Sequence, residues 1–317
     1  MALLDQAATS HLSPRQQALV RLRGFDSNVL ARWLCLLPAF LTLLVWVYWP
    51  LAESFRLSFY EWNMLPTVAP EWVGFDNYLR LLQLPEMKKA AWNTVLYTFG
   101  LIPLTVGLPL VVALAARGVG ERAGAIYRAL IFIPMIIAPV VVAIVWRWLL
   151  SPDHGIINEV ITSLGFSPIR FLQDRNTALW AILFITGWKL LGFSTLVIAA
   201  AMTSIDPALF EAARLEGASA SKVALHIIIP LISPVLLLLT MLTMLHGAQW
   251  SFVYINVLTH GGPLQSTTNL YFLLYDYGFS NFAVGWSTAA GMISFAIYGI
   301  IALVCLRLMK RYAIYES

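Results

Sequence analysis

Residues 206–234 read DPALFEAARLEGASASKVALHIIIPLISP. The first half is too polar to enter a bilayer, yet apolar runs flank it at 178–202 and 227–247. Asp206 suits an N-cap, and Pro207 suits the first helical position, where a missing N–H costs nothing. A short helix is therefore predicted from Pro207 to Glu216, stopped by Gly217 where a left-handed residue is wanted. A second short helix from about Ala218 leads into Pro230 and Pro234. A polar helix–turn–helix between two membrane-length runs is a surface element built to touch something outside the bilayer.

The rest of the chain agrees with that setting. Of its 317 residues 60% are hydrophobic and only 11% charged, against about 25% charged in a soluble domain. So few charges leave much of the surface facing lipid. Disorder, nucleic-acid binding and a secreted disulfide scaffold are excluded on the same ground. Six stretches reach the roughly 20 apolar residues that a crossing needs: 31–52, 90–116, 126–150, 178–202, 227–247 and 284–306. Pro38 lies in the first, and Pro134 and Pro139 lie in the third. Proline survives there when neighbouring helices satisfy the carbonyls it frees, so a packed bundle is expected. The fold class is an all-α membrane protein of six spans. Cys35 and Cys305 sit in apolar runs at opposite ends, too few for a disulfide framework or a zinc site.

Residues 1–30 lack the order of a signal peptide. Arg15, Arg21, Arg23 and Arg32 are interleaved with Leu19, Val20, Leu22, Phe25 and Leu30, which fits either a helix lying on the cytoplasmic face or a solvated tail. With the amino terminus inside, twelve of the 20 Lys and Arg residues fall on inner segments and seven on outer ones, while Lys189 lies inside a span. The outer loop 248–283 has neither Lys nor Arg. Both termini and the 206–226 loop are therefore expected in the cytoplasm.

Glu211-Ala212-Ala213, then Gly217, then Ile229-Pro230 resembles the EAA loop of permease subunits of bacterial ABC importers. Other stretches match the carbohydrate branch of that family: Val73-Gly74-Phe75-Asp76-Asn77-Tyr78, Asn93-Thr94, Gly155-Ile156-Ile157-Asn158, Trp188-Lys189, and Leu258-Thr259-His260-Gly261-Gly262-Pro263 followed by Thr267-Thr268 and Leu270. The likeness runs from about residue 31 to the end and is to the maltose F and glycerol-phosphate A type, without a large inserted outer domain. One departure stands out: relatives often carry Phe-Asp where this chain has Trp250-Ser251.

The resemblance implies that the loop 203–226 forms a coupling helix seated on an ATPase subunit. Leu209, Phe210 and Leu215 would supply apolar contacts, Glu211 a charge, Ala212 and Ala213 close approach, and Gly217 the sharp turn. It also implies a heterodimer with a second related permease, two ATPase subunits carrying ATP and Mg, and an extracytoplasmic solute-binding protein. No cofactor is expected in this chain. No Gly-Lys dipeptide occurs, so the GxxxxGK[ST] phosphate loop is missing from the sequence. There is no HExxH pair, and no serine in a GxSxG setting.

Polar residues inside spans face a cavity or a partner more often than lipid. Lys189 is the one Lys or Arg placed well inside a span. Thr240, Thr243, His246 and Trp250 recur at three-to-four-residue spacing on one helical face, with Gln249 beside it. In maltose-type relatives the sugar pocket lies between spans four, five and six, which points to Lys189, Phe193, Thr243, His246 and Trp250. Hydroxyl, imidazole and aromatic groups suit a sugar. The alternatives are a Lys189 snorkelling to the outer interface and threonines bonding back to their own helix. Gly261-Gly262-Pro263 reads as a turn, and the resemblance adds a scoop reaching the binding protein. Small residues in span six (Gly285, Ala289, Ala290, Gly291, Gly299) suit packing on the second permease or on this chain's own bundle.

The expected function is transport of a carbohydrate by alternating access across a bacterial inner membrane. An anionic polyol such as glycerol phosphate is the alternative cargo. A stand-alone secondary transporter is the remote alternative, and no Asp or Glu lies well inside a span to serve one.

Overall fold

The structure is a computed structural model that describes residues 33–65 and 67–312. The N-terminal segment 1–30 lies outside the described residues. The chain divides into two units, Met1–Arg56 and Leu57–Ser317. Helix α1 (Trp33–Leu57) fills the described part of the first and ends one residue inside the second. From Trp33 to Ala52 it is apolar all round, as a lipid-spanning helix is. At Pro38, which lacks an N–H, the Thr42 hydroxyl donates to the proline carbonyl at 2.7 Å. A single π-turn follows at Leu44–Tyr48.

In the second unit a two-residue ladder, β1 (Tyr60–Glu61) with β2 (Glu71–Trp72), is antiparallel with Tyr60 opposite Trp72. Among the described residues it is the one sheet, and the fold class is all-α as expected. Then come α2 (Asp76–Gln83), α3 (Pro85–Ala115), α4 (Glu121–Ile136), α5 (Pro139–Leu149), α6 (Ile156–Ser163) and α7 (Ala178–Thr203). The chain continues through α8 (Pro207–Leu215), α9 (Ala220–Leu231), α10 (Ser233–Thr259), α11 (Leu270–Tyr275) and α12 (Val284–Tyr312).

Helix α7 is the axis of this unit. Ile182, Ile185, Ile198, Thr186 and Thr195 are each at most 1% exposed. Two glycines let neighbours close on it: a Cβ on Gly187 would lie 2.6 Å from Leu104, and one on Gly192 would lie 2.1 Å from the Ile131 carbonyl oxygen. The first brings α3 onto α7, and the second brings the backbone of α4.

Three expectations on the spans are corrected. The run 126–150 is two helices, α4 and α5, bent by 97° across Ile137-Ala138. Ala138 is extended, as the residue before a proline prefers, and Pro139 opens α5. The fifth span starts at Ser233 rather than 227, because 220–231 is a separate helix ending at Pro230-Leu231. The second begins earlier, at Pro85, again a proline in the first turn.

Four asparagines hold the irregular segments between helices. Asn77 donates to the carbonyls of Ser58 (2.9 Å) and Tyr60 (3.0 Å). Asn158 donates to Ser151 O and Ile169 O and accepts from Ile169 N. Asn93 donates to Thr268 O at 2.8 Å and Gln265 O at 3.2 Å, and Asn269 donates to Ala248 O at 2.8 Å. An amide can satisfy several backbone groups that no regular element reaches. These residues lie in or beside the stretches Gly74–Tyr78, Asn93-Thr94, Gly155–Asn158 and Thr267–Leu270, so those stretches are clasps for loops.

The small residues of the last span divide. Ala289 and Ala290 are fully buried, and a Cβ on Gly285 would meet Tyr60 O at 2.0 Å. These pack on this chain's own bundle. Gly299 has nothing within 4 Å of such an atom.

Candidate functional site

The surface helix α8 has the two ends that its sequence called for. The Asp206 carboxylate accepts from Ala208 N at 2.9 Å, which satisfies one orphan amide of the first turn. At the other end Gly217 has φ +70°, Ala218 N donates to Ala213 O at 2.9 Å, and Gly217 N donates to Arg214 O at 3.1 Å. That is the left-handed stop anticipated for glycine. The helix ends at Leu215, with Glu216 as its cap. The second helix starts at Ala220 behind a Ser219 N-cap, two residues later than expected.

The seven residues assigned to coupling separate into two faces. Ala213 is buried, and Phe210 packs against the cluster formed by Ile198, Met202, Ile205, Ile228 and Ile232. Leu209, Glu211, Ala212, Leu215 and Gly217 are exposed, Leu215 at 90%. A leucine so exposed on a capped surface helix is a knob without a socket among the described residues. The inner pair anchors α8 to the bundle, and the outer set is free to meet a partner.

The five residues assigned to substrate have different neighbours and do not all come together. The Lys189 ammonium donates to the carbonyls of Pro134 (2.9 Å), Met135 (3.0 Å) and Ile137 (2.5 Å). These oxygens end α4, where the break before Pro139 leaves carbonyls unpaired and the helix dipole is negative. An ammonium has three N–H donors, and in this conformation all three are engaged. Lys189 therefore points into the bend of the third span. Thr243 is buried; its hydroxyl bonds Leu239 O at 2.9 Å and pairs with Thr105 Oγ1 at 2.8 Å, joining α10 to α3. Thr240 bonds back to Leu236 O at 2.8 Å.

His246 and Trp250 do come together. Their rings stack at 5.8 Å with 22° between planes, both half-buried, and Gln249 beside them is exposed. Phe193 is 39% exposed on α7. The buried side of α10 is instead Leu239, Thr243, Gly247, Ser251 and Tyr254. The Ser251 hydroxyl is fully buried and donates to Gly247 O at 3.0 Å. A carboxylate there would need to be desolvated, which serine avoids.

The loop after α10 is tied down by hydrogen bonds. Gly261 has φ +81°, and a Cβ there would lie 2.4 Å from Thr268 Oγ1. Thr268 Oγ1 donates to Gly261 O at 3.1 Å and Thr267 Oγ1 to Gly262 O at 2.9 Å; Lys89 Nζ reaches Leu264 O. Gly262-Pro263 is cis. With Thr267 and Asn269 fully buried, Leu264 is held at the tip, 77% exposed. Arg147, Gln173, Thr259 and Pro263 line one cavity beside it, and Arg170, Arg175 and Leu264 line another. The turn reading of Gly261-Gly262-Pro263 is what the backbone shows.

Sequence reasoning missed Thr105 and Asn269. Thr105 carried no signal, being one hydroxyl in a long apolar run. Asn269 could have been found as an N-cap, since its side chain accepts from Phe272 N at 2.8 Å at the start of α11.

The sequence model of the family described as "Binding-protein-dependent transport system inner membrane component" matches residues 106–313. The sn-glycerol-3-phosphate transport system permease protein UgpA of Pectobacterium atrosepticum is 27% identical over 284 residues, covering 88% of this chain and 94% of that one. The probable ABC transporter permease protein YesP of Bacillus subtilis is 28% identical over 307 residues, covering 95% and 97%. Among solved structures, a bacterial ABC transporter involved in the import of the acidic polysaccharide alginate has a chain 25% identical to this one. The two superpose with a TM-score of 0.82 over 92% of this chain and 99% of the other.

Proposed function

This chain belongs to the family of binding-protein-dependent transport system inner membrane components and is a multi-pass transport subunit, and from that premise we propose that it carries a carbohydrate inward as one half of an ABC importer. The observation that carries the reading is α8: an anchored, doubly capped surface helix with Leu209, Glu211 and Leu215 turned outward. That is the shape needed to seat in an ATPase groove and pass its closure to the bundle. ATP and Mg belong to two such ATPase subunits, and a second related permease completes the pathway. The termini and α8 lie on the cytoplasmic side, by the distribution of Lys and Arg. Binding protein docks at the outer loops, with Gly261-Gly262-Pro263 holding Leu264 forward. Alternating access requires that both partners favour the outward-facing state over the inward one.

His246, Gln249 and Trp250 form this chain's contribution to the translocation path. An aromatic face beside imidazole and amide groups is what a sugar ring needs. Phe193 faces the same pathway from α7. An anionic cargo is the second reading. The named substrates of UgpA and of the alginate importer are acidic, and Arg147, Arg170 and Arg175 lie along the outer cavities next to Pro263 and Leu264.

The test is to reconstitute the chain with its co-purifying subunits and binding protein, and to measure ATPase stimulation by neutral and acidic oligosaccharides and by glycerol phosphate. Stimulation by a neutral sugar supports the first reading, and stimulation by acidic solutes alone supports the second. A chain that purifies with no ATPase refutes both.

A further inference from the structure

On the inner side of α8 a cavity of about 630 Å³ opens between the end of α3, α8 and α9. Its walls include Leu114, Phe210, Val223 and Ile228, and among the described residues the charged ones that line it are Arg117 and Arg214. The Arg117 guanidinium carbon sits 4.0 Å from the centre of the Phe210 ring, a cation–π contact. Burial first, and the Arg214 charge second, hold the Arg117 guanidinium below its ordinary value. The ion pairs among the described residues are Glu53–Arg56 and Asp76–Arg80. Among the described side chains, two cations thus face one apolar-walled space and no carboxylate lines it.

Like charges at such a place destabilise each other, and an anion between them reverses the sign. Arg117 stands two residues beyond Ala115, the last residue of its span, which places its guanidinium at headgroup height. A phosphodiester matches a pair of guanidinium forks. A free phosphate would meet the cations but leave the apolar walls wet; a lipid covers both.

We propose that this cavity binds an anionic phospholipid of the leaflet that α8 lies against, with the phosphodiester between Arg117 and Arg214 and the first acyl carbons against Leu114, Val223 and Ile228. Phe210 and Arg214 belong to α8, so an occupied cavity braces the helix from behind while its outer face meets the ATPase. The proposal rests on α8 lying at the membrane surface; it does not depend on the cargo or on ATPase docking.

The experiment uses the full complex in nanodiscs of mixed phosphatidylglycerol and phosphatidylcholine, with retained lipid read by native mass spectrometry. Both leaflets carry the same mixture, so the outcome is independent of orientation. Wild type should retain phosphatidylglycerol preferentially. Arg117→Gln and Arg214→Gln should each lower that preference about fivefold, the equivalent of about 1 kcal/mol per basic residue at a membrane surface. Arg117→Lys should keep most of it, which separates lost charge from lost fold, and Arg122→Gln, which does not line the cavity, should change it least. An unchanged preference in the double glutamine variant overturns the site. Displacement of the lipid by excess inorganic phosphate alone would reassign it to a soluble anion. If the double variant instead releases the ATPase while keeping its lipid, the arginines pair with a partner carboxylate and the proposal fails.

Discussion

Replacing Lys189 by methionine tests the most specific relation in the bundle. The change keeps an unbranched side chain of similar length and removes three N–H donors from Pro134 O, Met135 O and Ile137 O. A buried carbonyl left without a partner costs about 1–3 kcal/mol. The ammonium's own desolvation cost disappears in the variant, which offsets part of that loss. A net destabilisation of about 3–5 kcal/mol is expected, in the range of the large single-residue effects. Local relief is available, because α4 and α5 can reduce their 97° bend and let some carbonyls find amides. Spin labels at the exposed positions 126 and 144 would report it. At 1.5 Å per residue, with arms of about 18 Å and 9 Å from the break, their backbone separation is about 19 Å bent and about 27 Å straight. The assay is therefore twofold: pulsed electron spin resonance of the purified complex, and its thermal unfolding. A longer label distance with a lowered unfolding temperature supports the clasp. Unchanged distance and unchanged unfolding temperature, together with altered solute selectivity, would return Lys189 to the substrate and refute the reasoning.

Further outcomes follow from geometry in the same way. Gly217 has positive φ and nothing within 4 Å of an added Cβ, so strain there is purely conformational, about 1–2 kcal/mol for an ordinary residue. Gly217→Asn should retain substrate-stimulated ATP hydrolysis while Gly217→Val loses most of it, and equal activity in the two would sink the turn argument. Gly192→Ala brings a methyl against the Ile131 carbonyl at 2.1 Å, backbone that yields only if α4 moves; poor membrane yield of the assembled complex is expected, and normal yield counts against the packing. Asn93→Leu removes bonds to Gln265 O and Thr268 O at a cost of about 2–4 kcal/mol locally. Stimulation by binding protein should fall while basal ATPase activity persists. Trp250→Ala and His246→Ala open the stacked pair and should shift solute selectivity without loss of assembly, as read by competition transport and gel filtration; identical selectivity would remove them from the pathway.

Most of the architecture was legible in the residues because the bilayer imposes a length and a composition that a sequence displays openly. The six apolar runs, and the ends of α8 at Asp206 and Gly217, needed nothing beyond hydropathy, capping and the left-handed preference of glycine. The same local logic failed where a residue's partner lies far away in the chain. Periodicity placed Thr243, His246 and Trp250 on one side of α10, but an α-helix advances 100° per residue, and the neighbours split that side. Thr243 turns to Thr105, 138 residues distant, while His246 and Trp250 remain half open. Asn93-Thr94 and Thr267-Thr268 were visible as two unrelated stretches, yet they are two sides of one clasp.

What the sequence by itself determined is the membrane setting, the apolar runs and the capped surface helix α8, since each depends on properties of consecutive residues. Only the tertiary structure decided the sharp bend of the third span and the role of Lys189. Pro139 announced a defect in that span without saying whether its carbonyls would straighten, hydrate or find a cation. The answer lies 50 residues further on, where Gly192 lets α7 approach α4 closely and Lys189, one turn away, reaches the freed oxygens. A buried charge and unpaired carbonyls are each costly alone, and their mutual satisfaction exists only after the two helices have packed.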